Sequence, residues 1–169
     1  EEPIYRSAGV ACEFVGHPVL DEISTVIEDA GFTFQDAGRQ QLKARMRGLL
    51  GLAPDRPVTA FLPGSRPHEV ATLLPVMIQT MTSLKSLYPE QQFVVPRAPN
   101  LDESAFAGAG FPPECRLVRS HAIEALAASD FAVIASGTST LQATLLKVPM
   151  VVVYKLPPLS YFIGKRIIK

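Results

Sequence analysis

The sequence predicts an α/β fold in which a parallel sheet is covered by helices on both faces. Three observations predict it. Strand and helix patterns alternate at βα spacing through most of the chain. The strand candidates at 57–62 and 131–135 are unbroken apolar runs, the pattern of strands buried on both faces. The 169 residues, 47% of them hydrophobic, fit one domain under the prior of roughly 100–200 residues. A chain of this length buries roughly 70% of the surface it exposes when unfolded, so a core can form without disulfides.

Taken in order, the run 12–16 (CEFVG) before His17-Pro18 reads as a strand end at a turn. A loop containing Gly31 and Gly38 is expected next. Residues 40–50 place Leu42, Met46, Leu49 and Leu50 on one helical face, with Gly51 where a C-cap glycine belongs. The apolar run 57–62 is a buried strand stopped by Pro63-Gly64. Pro67 suits the first position of a helix expected to reach Leu87 with a kink near Pro75, and Glu69 falls in its first turn, where a carboxylate complements the dipole. Residues 92–95 are a short strand ended by Pro96, and 115–118 are a fourth candidate. Ser120 can cap a helix through Ala128, whose Ile123, Leu126 and Ala127 form an apolar stripe. The clearest buried strand, 131–135, runs into Ser136-Gly137-Thr138-Ser139. A helix over 140–147 then leads to a strand over 149–153. No internal repeat or low-complexity segment is visible.

Composition narrows the function classes. Sixteen basic and 16 acidic side chains give a formal charge of zero, so there is no global excess to neutralise a nucleic-acid backbone, and any polyanion site must be local. The two cysteines, Cys12 and Cys115, have no CxxC partner, and His17, His68 and His121 show no metal-ligand spacing. A reducing compartment fits, and no metal or cofactor is expected. No run approaches the roughly 18 apolar residues of a membrane span, and EEPIYRSAGV has no signal-peptide pattern. The chain starts without Met and ends at Arg166-Ile167-Ile168-Lys169, within what reads as an amphipathic helix. The expectation is therefore a piece of something longer. The 15 prolines exceed the usual ~5%, and many of them fall at element boundaries.

In an open parallel sheet, ligands bind outside the carboxyl ends of the strands, which singles out the loops leaving Leu62 and Ala135. Pro63-Gly64-Ser65-Arg66 offers backbone N–H groups, a hydroxyl and a guanidinium at a helix start, the parts of a phosphate cradle. A tight strand-to-helix turn with a solvated Arg is the alternative. Ser136-Gly137-Thr138-Ser139 repeats the same physics, its alternative being simple helix capping by Ser or Thr. Together the two loops point to an anionic ligand straddling them. Their spacing is neither a Walker A loop nor a GxGxxG fingerprint, and neither is a GxSxG elbow, so ATP hydrolysis, NAD binding and nucleophilic hydrolysis by those routes are unsupported. Glu69 complements the helix dipole or contacts a ligand hydroxyl. His68 reads as an exposed first-turn residue and His17 as part of a turn. The stretch 154–169 mixes aromatic, aliphatic and basic residues, which suits either a membrane interface or packing on the sheet or on a further domain.

Several segments in order resemble the lipid-A-disaccharide synthases, bacterial glycosyltransferases with two Rossmann-like domains. They are Phe14-Val15-Gly16-His17-Pro18, Leu62-Pro63-Gly64-Ser65-Arg66 with Glu69, Val94-Val95-Pro96, Ala128-Ser129-Asp130, Ala135-Ser136-Gly137-Thr138, and Val148-Pro149-Met150-Val151-Val152 leading to Tyr154-Lys155. The resemblance implies a single Rossmann-like nucleotide-sugar-binding domain over 1–169, one half of a GT-B-type glycosyltransferase whose N-terminal domain lies elsewhere. The implied reaction joins UDP-2,3-diacylglucosamine to 2,3-diacylglucosamine 1-phosphate with inversion, releasing UDP, on the cytoplasmic face of a Gram-negative inner membrane. No metal is implied, and the general base is expected outside this chain. The resemblance assigns Ser65, Arg66 and Glu69 to the donor or active site, and Gly64, Ser136, Gly137, Thr138, Gln142 and Tyr154 to the nucleotide. One departure stands out: the family usually carries Glu where this chain has Gln142, and an acid there holds ribose hydroxyls in related transferases. Gln hydrogen-bonds without charge assistance. Two other readings are a UDP-N-acetylglucosamine 2-epimerase-like enzyme, against which the PGSR and PMVV-x-Y combination argues, and a non-catalytic nucleotide-binding or membrane-docking module.

Overall fold

In a computed structural model, residues 2–33 and 38–155 are described. They form β1 (Val58–Leu62), β2 (Gln92–Arg97), β3 (Cys115–Arg119), β4 (Phe131–Ala135) and β5 (Met150–Val153), with helices α1 (Glu2–Ser7), α2 (Val19–Asp29), α3 (Arg39–Leu49), α4 (Pro67–Leu87), α5 (Ala122–Ala128) and α6 (Thr138–Leu145). All strand pairings are parallel, in the order β3-β2-β1-β4-β5. The chain builds outward from β1 through β2 to β3. It then crosses back along α5 to β4 on the other side of β1. The strand order therefore reverses between β1 and β4, and a crevice opens outside the carboxyl ends of those two strands.

Side-chain alternation assigns the two faces. Ala60, Leu62, Val94, Ala132 and Ile134 join α2, α3, α5 and α6 in one core, whereas Phe61, Phe93, Val95 and Ala135 join α4 in the other. Phe61 and Phe93 meet edge to face with ring centroids 5.9 Å apart, a favoured aromatic geometry. Helices thus cover both faces, as the sequence predicts. α4 continues through Pro75; both Pro75 and Ala71, four residues earlier, are exposed, so the carbonyl deprived of its N–H partner faces water.

Four local expectations are corrected. Residues 12–16 are not a strand; they lie outside the sheet, with Phe14 73% and Val15 90% exposed. Where a loop was expected after Pro18, α2 buries Val19, Ile23 and Ile27 at i, i+4 and i+8. It ends in a Schellman motif, Phe32 N–H donating to Ile27 O at 3.1 Å and Gly31 N–H to Glu28 O at 2.8 Å. Pro96 does not end β2, which continues to Arg97. Even-numbered residues of β2 face β1, as Gln92 N–H does in donating to Pro57 O, and the β1 pairing stops at Val94. The N–H that Pro96 lacks is the one that would have carried the β1 ladder on toward Leu62, so the proline closes that pairing while the β3 pairing runs on through Arg97. Finally, Ser120 does not cap α5. It has φ 61°, and the N-cap is His121, whose Nδ1 lies 2.7 Å from Glu124 Oε1. The short helix α1, with no buried residue, was not expected at all. The C-terminal stretch, apart from Tyr154 and Lys155, lies outside the described residues.

At the amino ends of the strands, Asp130 ties α3 to the sheet. Its carboxylate accepts from Lys43 Nζ at 2.6 Å, Arg47 Nη2 at 2.7 Å and the Val58 N–H at 2.8 Å. Arg47 is buried and also donates from Nε to Ala128 O at 3.0 Å and from Nη1 to Pro54 O.

Candidate functional site at the switch between β1 and β4

A cavity of about 590 Å³ occupies the crevice, within the range of small-molecule sites. The loop after β1 brings Gly64, Ser65 and Arg66 to its wall, followed by Glu69 from α4. The loop after β4 brings Ser136, Gly137 and Thr138, followed by Gln142 from α6. Eight of the nine residues singled out in the sequence are thus gathered around one space. The ninth, Tyr154, lies past the end of β5, 64% exposed and away from the cavity wall.

The two loops differ in how their helices begin. No side chain caps α6, so the capping alternative for the SGTS loop fails. Thr140 Oγ1 instead donates to Gly137 O at 2.7 Å, and Ser136 N–H is spent on Val153 O at 3.0 Å. Thr138 and Ser139, the first residues of α6, line the cavity at the positive end of the helix dipole. At α4, Glu69 occupies the third helical position and reaches back to accept the N–H of the N-cap residue Arg66, one half of a capping box. The same carboxylate accepts from Arg66 Nη1 at 2.8 Å. Burial pushes the Glu69 acid group up, but the Arg66 hydrogen bonds and charge outweigh it, and its pKa is held below the ordinary carboxylate value. Glu69 is therefore a poor base, and its visible task is holding the Arg66 loop.

Gly64 makes this arrangement possible. Its φ is +106°, and a Cβ there would fall 2.4 Å from Glu69 Oε2 and 3.1 Å from Glu69 Cβ. Gly64→Ala is expected to lose about 1–2 kcal/mol from backbone strain alone and to dislodge Glu69 from Arg66. A melting curve together with a ligand titration would check both effects; an unchanged melt would show that the loop relaxes without cost.

Several wall residues went unnoticed in the sequence. Arg97, at the carboxyl end of β2, adds a second guanidinium to the wall and donates to Leu101 O at 2.5 Å. Its signal, a basic residue ending an apolar strand, was hidden by the expectation that Pro96 stops that strand. Asn100 Nδ2 donates to Ser65 O at 2.9 Å and braces the PGSR loop. Ser120 follows β3 into the wall in its left-handed conformation, a strained backbone of the sort that clusters at binding sites. Glu22 reaches the wall from α2, where a loop is expected from the sequence. Among the described residues no cluster of His, Cys, Asp or Glu is arranged to hold a metal ion, and no helix is long and apolar enough to cross a membrane. The site can bind an anion through the start of α6 and two arginines, with carboxylate and amide groups beside it for hydroxyls.

Comparison with known proteins gives this arrangement a family. The chain is 41% identical over 171 residues to the lipid-A-disaccharide synthase of Syntrophus aciditrophicus, covering 99% of this chain and 41% of that protein. It is 41% identical over 172 residues to the enzyme of that name from Anaeromyxobacter sp. strain K, and 39% over 173 residues to that from Myxococcus xanthus, covering in each case 100% of this chain and 41% of the relative. The chain thus spans about two fifths of the length of these relatives. The family described as Lipid-A-disaccharide synthetase matches residues 1–169, and the chain belongs to that family.

Proposed function

We propose that residues 1–169 are the nucleotide-sugar-binding domain of a lipid-A-disaccharide synthase. The whole protein transfers 2,3-diacylglucosamine from UDP-2,3-diacylglucosamine to 2,3-diacylglucosamine 1-phosphate, releasing UDP. The observation that carries this reading is the convergence of the start of α6 and Arg66 on one cavity at the strand-order switch, in a chain of this family. The diphosphate of the donor lies between the PGSR loop and the first turn of α6, where aligned amides and guanidinium favour negative charge. An acceptor hydroxyl attacks the anomeric carbon, its proton passing to a base supplied by the rest of the protein, and the bond to the β-phosphate oxygen breaks. Charge grows on the departing UDP. Arg66 and the α6 amides stabilise that charge more strongly than they do the bound donor, which is what lowers the barrier. Glu69 acts through Arg66 as a positioning residue. The acyl chains of both substrates place the reaction at the cytoplasmic surface of the inner membrane.

Calorimetric titration of the whole protein with UDP, with ADP as control, tests the reading. Saturable binding of UDP that ADP does not match is the expected result. A folded protein that takes neither nucleotide would refute it.

A further inference from the structure

Among the described residues, two carboxylates reach the cavity wall. Glu69 is committed to Arg66. Glu22 arrives from the first turn of α2, and the pairing it makes there is with the wall itself: Gln142 Nε2 donates to Glu22 Oε2 at 3.3 Å. Gln142 is buried on α6, and α2 is fixed against the α5 and α6 face through Val19, Ile23 and Ile27. The Glu22–Gln142 pair is thus held by two packed helices, 120 residues apart in sequence.

Its position relative to the anion site is set by helix geometry. Gln142 follows Thr138 by four residues, one turn or about 6 Å along α6. Glu22 and Gln142 line the same cavity as Thr138, so the pair stands within reach of the ribose of a nucleoside diphosphate whose phosphates lie against the first turn of α6. A ribose offers two adjacent O–H donors. A carboxylate is acceptor-only, with about four lone-pair sites on two oxygens, so the single bond from Gln142 leaves Glu22 capacity for both hydroxyls.

We propose that Glu22 is the ribose-binding acid of this site, a carboxylate brought by α2 to the place where α6 carries the neutral Gln142. This rests on the nucleotide-sugar reading above. It makes the Gln142 side chain a brace that orients Glu22, and it locates the hydroxyl specificity of the nucleotide site on a helix outside both phosphate loops.

The test is calorimetric titration of the whole protein with UDP and with 2′,3′-dideoxy-UDP, for the parent protein, Glu22→Gln and the double variant Glu22→Gln/Gln142→Glu. The parent is expected to prefer UDP. Glu22→Gln should weaken UDP binding about tenfold, the size of one charge-assisted hydrogen bond, while leaving the dideoxy analogue unchanged. The double variant, which returns a carboxylate from the other member of the pair, should recover the preference. If Glu22→Gln keeps the full preference, or weakens both ligands equally with an unchanged melt, the inference is overturned and the nucleotide-site reading stands. If the parent binds no UDP, both fall.

Discussion

Arg66→Ala is expected to lower kcat for sugar transfer by about 10²–10³-fold, the usual loss when one donor to a developing anion is removed. This follows from the proposed function, in which Arg66 and the first turn of α6, both on the cavity wall, stabilise the departing diphosphate. No other described side chain occupies the place of Arg66 at the PGSR loop. Stability should barely change: the Arg66 side chain is 71% exposed in its ion pair with Glu69, and an exposed pair contributes about 0–1 kcal/mol. Arg66→Lys should recover part of the rate, because the charge returns without the two-pronged guanidinium geometry. Steady-state kinetics with a parallel melting curve decide the matter. An unchanged kcat removes Arg66 from the reaction, and a rate loss matched by a large drop in Tm reassigns it to folding.

Asp130→Ala should do the opposite, costing stability at the far end of the sheet from the cavity. It leaves the Arg47 side chain, 8% exposed, without its countercharge, and leaves the Val58 N–H and Lys43 without their acceptor. Breaking a buried pair costs about 3–5 kcal/mol. Because the Asp130 side chain is itself 41% exposed, solvent screening reduces this to about 2–3 kcal/mol, a drop of very roughly 5–10 °C in Tm at this size. UDP affinity measured well below the melt should not move. A loss of affinity without a loss of Tm would contradict the structural assignment.

The pH dependence of that variant has a definite sign. Burial tends to raise the Asp130 pKa, but the Lys43 and Val58 hydrogen bonds and the charges of Arg47 and Lys43 outweigh it, so the folded value lies below the ordinary 3.8. The unfolded chain then binds a proton before the folded one does as pH falls. The stabilisation is complete above the ordinary value and is lost as pH drops through the lowered one. The Tm difference between parent and Asp130→Ala is accordingly expected to be constant above about pH 5 and to shrink below about pH 4. A difference that grows on acidification would mean that Asp130 is not held as its carboxylate.

The legible parts of the fold are those whose signals are local. β1 and β4 were plain because strands buried on both faces read as unbroken apolar runs. The stop of α3 was plain because Gly51 takes the position after the cap, Leu52 N–H donating to Arg47 O at 2.9 Å. α2 was missed although its Val19, Ile23 and Ile27 repeat every four residues. Its run of Val, Ile and Thr carries low helix propensity, and only packing against α5 and α6 fixes it as a helix. Residues 12–16 failed in the other direction. Their apolar character is strand-like, but a strand needs a neighbour, and no described strand pairs with them.

The candidate site divides in the same way. PGSR and SGTS were visible because glycine, small hydroxyl residues and arginine between a strand and a helix have a chemistry that depends on a few consecutive residues. That they share one cavity was settled by the order β3-β2-β1-β4-β5, in which the strands carrying the two loops become neighbours although they are about 70 residues apart. Glu22, Arg97 and Ser120 had no motif to mark them, because each enters the wall from an element whose course only long-range packing determines. By itself, then, the sequence determined the α/β class, most of the strands, the two phosphate-suited loops and, through their combination, the family. The tertiary structure alone decided which loops face each other, that Glu69 holds Arg66 through a backbone and a side-chain bond, and that a carboxylate from α2 stands beside Gln142. The reason is physical: backbone preferences and turn chemistry act over a few residues, whereas a binding site is made where sheet order and helix packing bring distant residues together.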